Sequence, residues 1–311
     1  MSATLPCESC SGSLYHLTRN VVSCRWARGG GWQGPYISGG GNGAGGSDGG
    51  GAAGELWEDI NVFVISRWVV ARLRHNTTLP DEAAVFAQYC TEVLGLPSGS
   101  GACATLRKIA LGSSEAVLHM HYCEVYDSKL QPATGGKGGI PTNNWMRDDC
   151  LGGSSQVAPV FAMLEKTDGF PEALAEKAKA VTTWARLRVD AASLRVAVPD
   201  NDADTALVAW RQHLETGTVY GECLARIIEA GWSALAIGYQ HTNGAHHQPL
   251  NKAALQQALG RYDAAWAAYN GFRIANPFGA TLYKDTYSHG APGIGVSVDA
   301  LRKLAKDGED L

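Results

Sequence analysis

The chain has 311 residues, 45% of them apolar and 18% charged, a balance that supports a buried core large enough for one large domain or two ordinary ones. Its formal net charge of −4 removes any general electrostatic reason to expect nucleic acid or an anionic membrane as partner. No stretch approaches the ~20 consecutive apolar residues that span a bilayer, so no membrane partner is expected.

The first ten residues lack the basic and apolar regions of a signal peptide, so the chain as given is expected to be cytoplasmic rather than secreted, unless its true start lies upstream. The eight cysteines follow no repeating frame and are expected to be reduced, mostly buried thiols. Cys7 and Cys10 form the only CxxC. Zinc would need two further ligands at similar spacing, so no metal site and no cofactor is expected.

Residues 1–37 form an irregular segment, with a strand expected through Tyr15 to Cys24 and a loop after it. Residues 38–54 carry ten glycines in seventeen positions and cannot repay the entropy of ordering, so they are expected to be a flexible insertion. From residue 55 to 311 helices dominate the pattern. The segment from Leu56 has acidic residues in its first turn, basic residues towards Arg74, and an apolar run through Asn61–Ile65 that suits a buried helix. Thr78, Pro80 and Asp81 then give a start signal for a helix with Val85, Phe86, Tyr89 and Val93 on one face, closed by Gly95. A further helix is expected from about Cys103 to Tyr126, and a Gly-, Pro- and Asn-rich loop over 128–155.

Three long helices are expected over about 171–197, 203–240 and 251–273. In the second, Leu207, Trp210, Leu214, Gly217, Gly221, Leu224, Ile228 and Trp232 recur at 3/4 spacing. In the third, Leu255, Leu259, Tyr262, Trp266 and Tyr269 do the same. Such seams predict a mainly α, bundle-like domain, with homo-oligomer formation through helices open to it. Gly217 and Gly221 would each cost about 1 kcal/mol in an exposed helix interior, so a neighbouring backbone or ring is expected against them. No repeat of 20–50 residues suggests a solenoid.

Two irregular segments carry the residue types of a polar-ligand site. Trp26, Arg28, Trp32 and Tyr36 lie on a Gly-rich stretch where flat rings can stack on sugars and Arg can donate to hydroxyls or a carboxylate. Trp145, Arg147, Asp148 and Asp149 sit in the 128–155 loop. Against this, the first set also suits aromatics that plug a helical core, and the second a helix cap with a surface Arg–Asp pair. Adjacent carboxylates rarely face one another, so Asp148 and Asp149 are not expected to be an acid/base pair across a glycosidic bond. His119, His121 and Cys123 look like metal ligands, but positions i and i+2 on a helix diverge, and a half-buried polar face is the simpler reading. His241, His246 and His247 read as a surface loop. No GxSxG, HExxH, Walker loop or GxGxxG after a strand is present.

The run Leu56-Trp-Glu-Asp-Ile-Asn-Val-Phe-Val-Ile-Ser-Arg-Trp68, followed by Leu79-Pro-Asp-Glu-Ala-Ala-Val-Phe-Ala-Gln-Tyr-Cys90 and Val93-Leu-Gly-Leu96, resembles the segment after the barrel in α-glucuronidase-like glycoside hydrolases. The resemblance implies that the chain is mainly the C-terminal helical region of a carbohydrate-active enzyme, with 11–37 the end of its barrel and a carbohydrate or small polar ligand as partner. A complete barrel takes about 200 residues or more, so the family's catalytic carboxylates map onto none of the residues here, and the Gly-rich insertion is foreign to the family. The alternative is an α-helical scaffold or interaction protein, in which the aromatic seams are all core.

Overall fold

The computed structural model describes residues 82–121, 157–242, 248–276 and 297–307. Among them the chain is mainly α, with seven α-helices and one 3₁₀ turn: α1 (Glu82–Glu92), α2 (Gly101–His121), α3 (Val157–Lys166), α4 (Phe170–Ser193) running into the 3₁₀ turn Leu194–Val196, α5 (Thr205–Thr242), α6 (Lys252–Ala275) and α7 (Val298–Asp307). The expected strand, the glycine tract, the buried helix from Leu56 and the long loop lie outside the described residues.

Helix starts follow local capping chemistry. The orphan N–H groups of a first turn need acceptors, and short polar side chains supply them. Ser100 accepts from Cys103 N at the start of α2, and Asp204 from Ala206 N and Leu207 N at the start of α5. Asn251 accepts from Ala254 N before α6, and Ser297 from Ala300 N before α7. Two left-handed residues carry exits: Gly95 (φ 65°) after α1 and Asp168 (φ 51°) after α3. The long helices thus stand within a few residues of their expected places. The helix expected over 171–197 tightens at its end to the 3₁₀ turn. The helix expected from Cys103 begins at Gly101 and is described to His121.

Two compact units divide the chain, one built from 1–115 and 184–219 and the other from 116–183 and 220–311. In the first, Val85, Phe86 and Tyr89 of α1 pack into one core with Leu106, Ile109 and Ala110 of α2, Ala191, Leu194 and Leu214. Val93 departs from the expected face. α1 ends at Glu92, the Val93 and Leu94 amides both turn back to the Tyr89 carbonyl, and Val93 is left 47% exposed. The expected reduced state of the cysteines is also corrected here, because Cys90 and Cys103 are joined as a disulfide that ties the end of α1 to the start of α2. Cys223 is buried and not disulfide-bonded, as expected.

The second unit is dominated by rings. Phe161 of α3, fully buried, meets Phe170 and Tyr239 edge-on at centroid distances of 5.3 and 5.4 Å, and Trp232 at 5.2 Å. Along α6, Leu255, Leu259, Tyr262 and Tyr269 are buried as their spacing predicted, while Trp266 is half-buried and edge-on to Tyr269 at 5.5 Å. The amphipathic helix α7 buries Val298, Leu301 and Leu304, and its carbonyls at Ala305 and Lys306 accept from Gln256 and Lys252 of α6.

Glycines on α5 and α6 separate close packing from solvent. A methyl added at Gly238 would run into the Leu301 side chain, which is fully buried, so that side chain or its neighbours would have to shift. A methyl at exposed Gly260 would meet nothing within 4 Å. Gly238→Ala should therefore destabilise by about 1–2 kcal/mol, overpacking outweighing the gain in helix propensity. Gly260→Ala should stabilise by about 0.5–1 kcal/mol. Urea midpoints of the two variants moving in the same direction would contradict this packing.

Candidate functional site

Trp26, Arg28, Trp32, Tyr36, Trp145, Arg147, Asp148 and Asp149 all lie outside the described residues. Of the two histidine groups, His119 sits buried on α2 and His121 is that helix's last residue, with Met120 between them buried in the core. His241 ends α5 in a hydrogen bond to the Gln248 carbonyl, 3.0 Å away. Among the described residues no group of three His, Cys, Asp or Glu side chains is placed to hold a metal ion.

The groups that command chemical interest within the described helices are two buried cations that sequence reading missed. In the second unit Lys177 is fully buried on α4. Its Nζ donates to the His119 carbonyl at 2.8 Å and lies 4.9 Å from the centre of the Trp232 ring. A buried ammonium is costly unless its donors are used and its charge is answered. The backbone oxygen supplies an acceptor, and the negative face of the indole supplies a diffuse counter-charge. A signal for Lys177 was present. Phe170, Ala173, Lys177, Ala180, Trp184, Leu187, Ala191 and Leu194 repeat at 3/4 spacing and are all buried, so the lysine occupies a seam position.

In the first unit the guanidinium of Arg211 is buried on α5 between two carboxylates. Nη1 donates to Glu215 at 2.6 Å, and Nη2 to Asp200. Glu215 also receives a two-pronged contact from Arg195, at 2.9 and 2.7 Å. Glu215 is thus shared by two arginines, one buried and one 60% exposed. Burial alone would raise its carboxyl, but the hydrogen bonds and charges of Arg195 and Arg211 outweigh burial and hold it below the ordinary glutamate value. The Tyr239 phenol, in the second unit, is pushed up by burial and by the negative charge of Glu165.

Paired charges and ring contacts recur at the helix surfaces. Glu222 binds Arg226 at 2.6 Å, Glu229 binds Arg261 at 3.0 Å, and Arg302 binds both Asp263 and Asp299. Each ties one turn, or one helix, to the next. Chemically these arrangements fix position and neutralise charge. They do not place a nucleophile beside a base, nor two carboxyls across a gap.

No family model, no curated protein and no solved structure matches the chain.

The lowered Glu215 carboxyl sets a sign for pH dependence. A carboxyl whose folded value is depressed contributes stability that is present above its unfolded value, near 4.5, and is lost as pH falls through the folded value. Glu215→Gln should therefore be less stable than the parent at pH 7, and the gap should close as pH is taken below 4.5. Urea midpoints at pH 7 and pH 3 give the measurement. An undiminished gap at pH 3 would assign the loss to packing instead of charge.

Proposed function

We propose that the described helices form a scaffold or interaction module and are not the seat of a reaction. The observation that carries this reading is the use made of the aromatic seams. Trp184, Trp232, Tyr262 and Tyr269 are each no more than 1% exposed. Burial spends a ring's apolar surface on internal packing, worth about 1.5–3 kcal/mol for a large side chain, and withdraws its face from stacking on a ligand. The buried cations are spent in the same way, on a carbonyl and an indole in one unit and on two carboxylates in the other. What each unit offers outward is its exposed side chains, among them Val189 and Val196 in the first, 66 and 91% exposed, and Ile274 in the second, 84% exposed. Isolated apolar residues of this kind are ordinary on a protein surface, so they support the reading without naming a partner.

The rival reading, a carbohydrate-binding part of a glycoside hydrolase, rests on Trp26, Arg28, Trp32 and Tyr36 with Trp145 and the Arg147-Asp148-Asp149 run. The two readings separate in one titration of the full chain with glucuronic acid and with xylo-oligosaccharides, followed by tryptophan emission. The scaffold reading expects no saturable change up to millimolar sugar and no release of product from aryl glycosides. A saturable quench that Trp32→Ala abolishes would overturn it in favour of the carbohydrate reading.

A further inference from the structure

We propose that the Cys90–Cys103 disulfide is a redox latch on α1, open to reductant only when α1 lifts from its core. Both half-cystines are buried, at 0 and 4% exposure. They share a core with Val85, Phe86 and Tyr89 of α1 and with Leu106, Ile109 and Ala110 of α2, and Cys103 Sγ lies 3.6 Å from the Phe86 carbonyl of α1. An eleven-residue helix is too short to persist in water without such packing. Its docking therefore draws on those side chains and on the covalent tie to α2. In the connection between the two helices Val93 is half-exposed, Gly95 is left-handed, the Leu96 amide turns back to the Cys90 carbonyl, and Leu94 and Leu96 pack against the same core.

The chemistry is thiol–disulfide exchange. A thiolate of an external dithiol attacks one sulfur, the S–S bond breaks, and the other cysteine leaves as thiolate. The second thiol of the reagent then displaces the first cysteine, closing the reagent into its own disulfide. The cystine has taken up two electrons and two protons. Re-formation returns them to a disulfide oxidant such as glutathione disulfide. With a sequence separation of 13 between the cysteines, the closed loop limits how much freedom α1 gains when it lifts. Removing the tie restores that freedom and should raise the fraction of undocked α1 about a hundredfold. Oxidation would thus set how firmly α1 is held, with no change in what it contacts.

The test uses the full chain. Cys90 and Cys103 fall in one tryptic peptide, 75–107, with no Lys or Arg between His75 and Arg107. From the oxidised chain this peptide should be two hydrogens lighter than the dithiol and should refuse iodoacetamide. Dithiothreitol should reduce it at least about a hundredfold more slowly in native buffer than in guanidinium, because attack waits on local opening. In the reduced chain the amides of residues 86–90 should exchange about a hundredfold faster, while those of α6 keep their rates. The Cys90→Ala/Cys103→Ala variant should reproduce the reduced pattern. Two labels on the peptide from the oxidised chain, native reduction at the unfolded rate, or residue 86–90 exchange indifferent to reduction would each overturn the latch.

Discussion

Burial around α5 is the constraint on which the described structure depends. The helix has 38 residues, Thr205–Thr242, and from Tyr220 to Ala236 only Arg226 is well exposed. A helix with so little outward surface gains its stability from packing and almost none from solvent-facing pairs. The sequence meets that demand with graded size. Small Gly217, Thr218 and Gly221 are buried, and Leu224, Ile228, Trp232 and Leu235 are buried at the positions that follow. Gly238 continues the theme, admitting the Leu301 side chain of α7 against bare backbone.

Such burial also fixes how polar groups can be carried. Thr218 turns its hydroxyl back to the Glu215 carbonyl, and Ser113 on α2 does the same to Ala110. Each closes a local bond within its own helix. Arginine and lysine cannot do that, so Arg211 recruits Asp200 and Glu215, and Lys177 recruits a carbonyl and an indole face. The buried indole N–H groups of Trp184 and Trp232 have no hydrogen-bond partner among the described residues. A lost partner costs about 1–3 kcal/mol, while truncating a buried Trp or Phe to Ala costs about 3–5 kcal/mol. Packing therefore wins at both positions.

Much of the helical architecture was legible because period and capping act locally. The 3/4 recurrence from Leu214 to Trp232 and from Leu255 to Tyr269 reports burial directly, and Asp204 and Asn251 mark helix starts by residue type and position alone. Val93 misled because it continues the spacing of Val85, Phe86 and Tyr89, although the turn set by Gly95 had already carried the chain away. Lys177 and Arg211 were overlooked for a different reason. Seams are searched for apolar residues, and a long cation in a seam reads as a break in the pattern. Whether its charge is answered depends on residues up to 58 positions away, as with Lys177 and His119, and no local pattern contains that. The candidate sugar residues were chosen by composition in segments without a period, where sequence fixes no mutual placement.

The cysteines show where counting gives way to geometry. Eight cysteines without a frame favour free thiols as a matter of composition, and Cys223 on α5 conforms. Cys90 and Cys103 differ because a tight turn separates the two helices that carry them. One ends at Glu92 and the next begins at Gly101, so the chain must double back and bring its flanks together. Two core-facing positions on either side of such a reversal fall at a Cα–Cα distance of 6.0 Å, within the range a cystine spans. The pairing thus follows from the burial period of α1 and the start of α2 at the Ser100 cap, once the reversal between them is in place. A bond between residues so close in sequence does not define the fold of its unit, since the core side chains of α1 already do that. It limits instead what the unfolded segment can explore, which makes its contribution one of local persistence in a helix of only eleven residues.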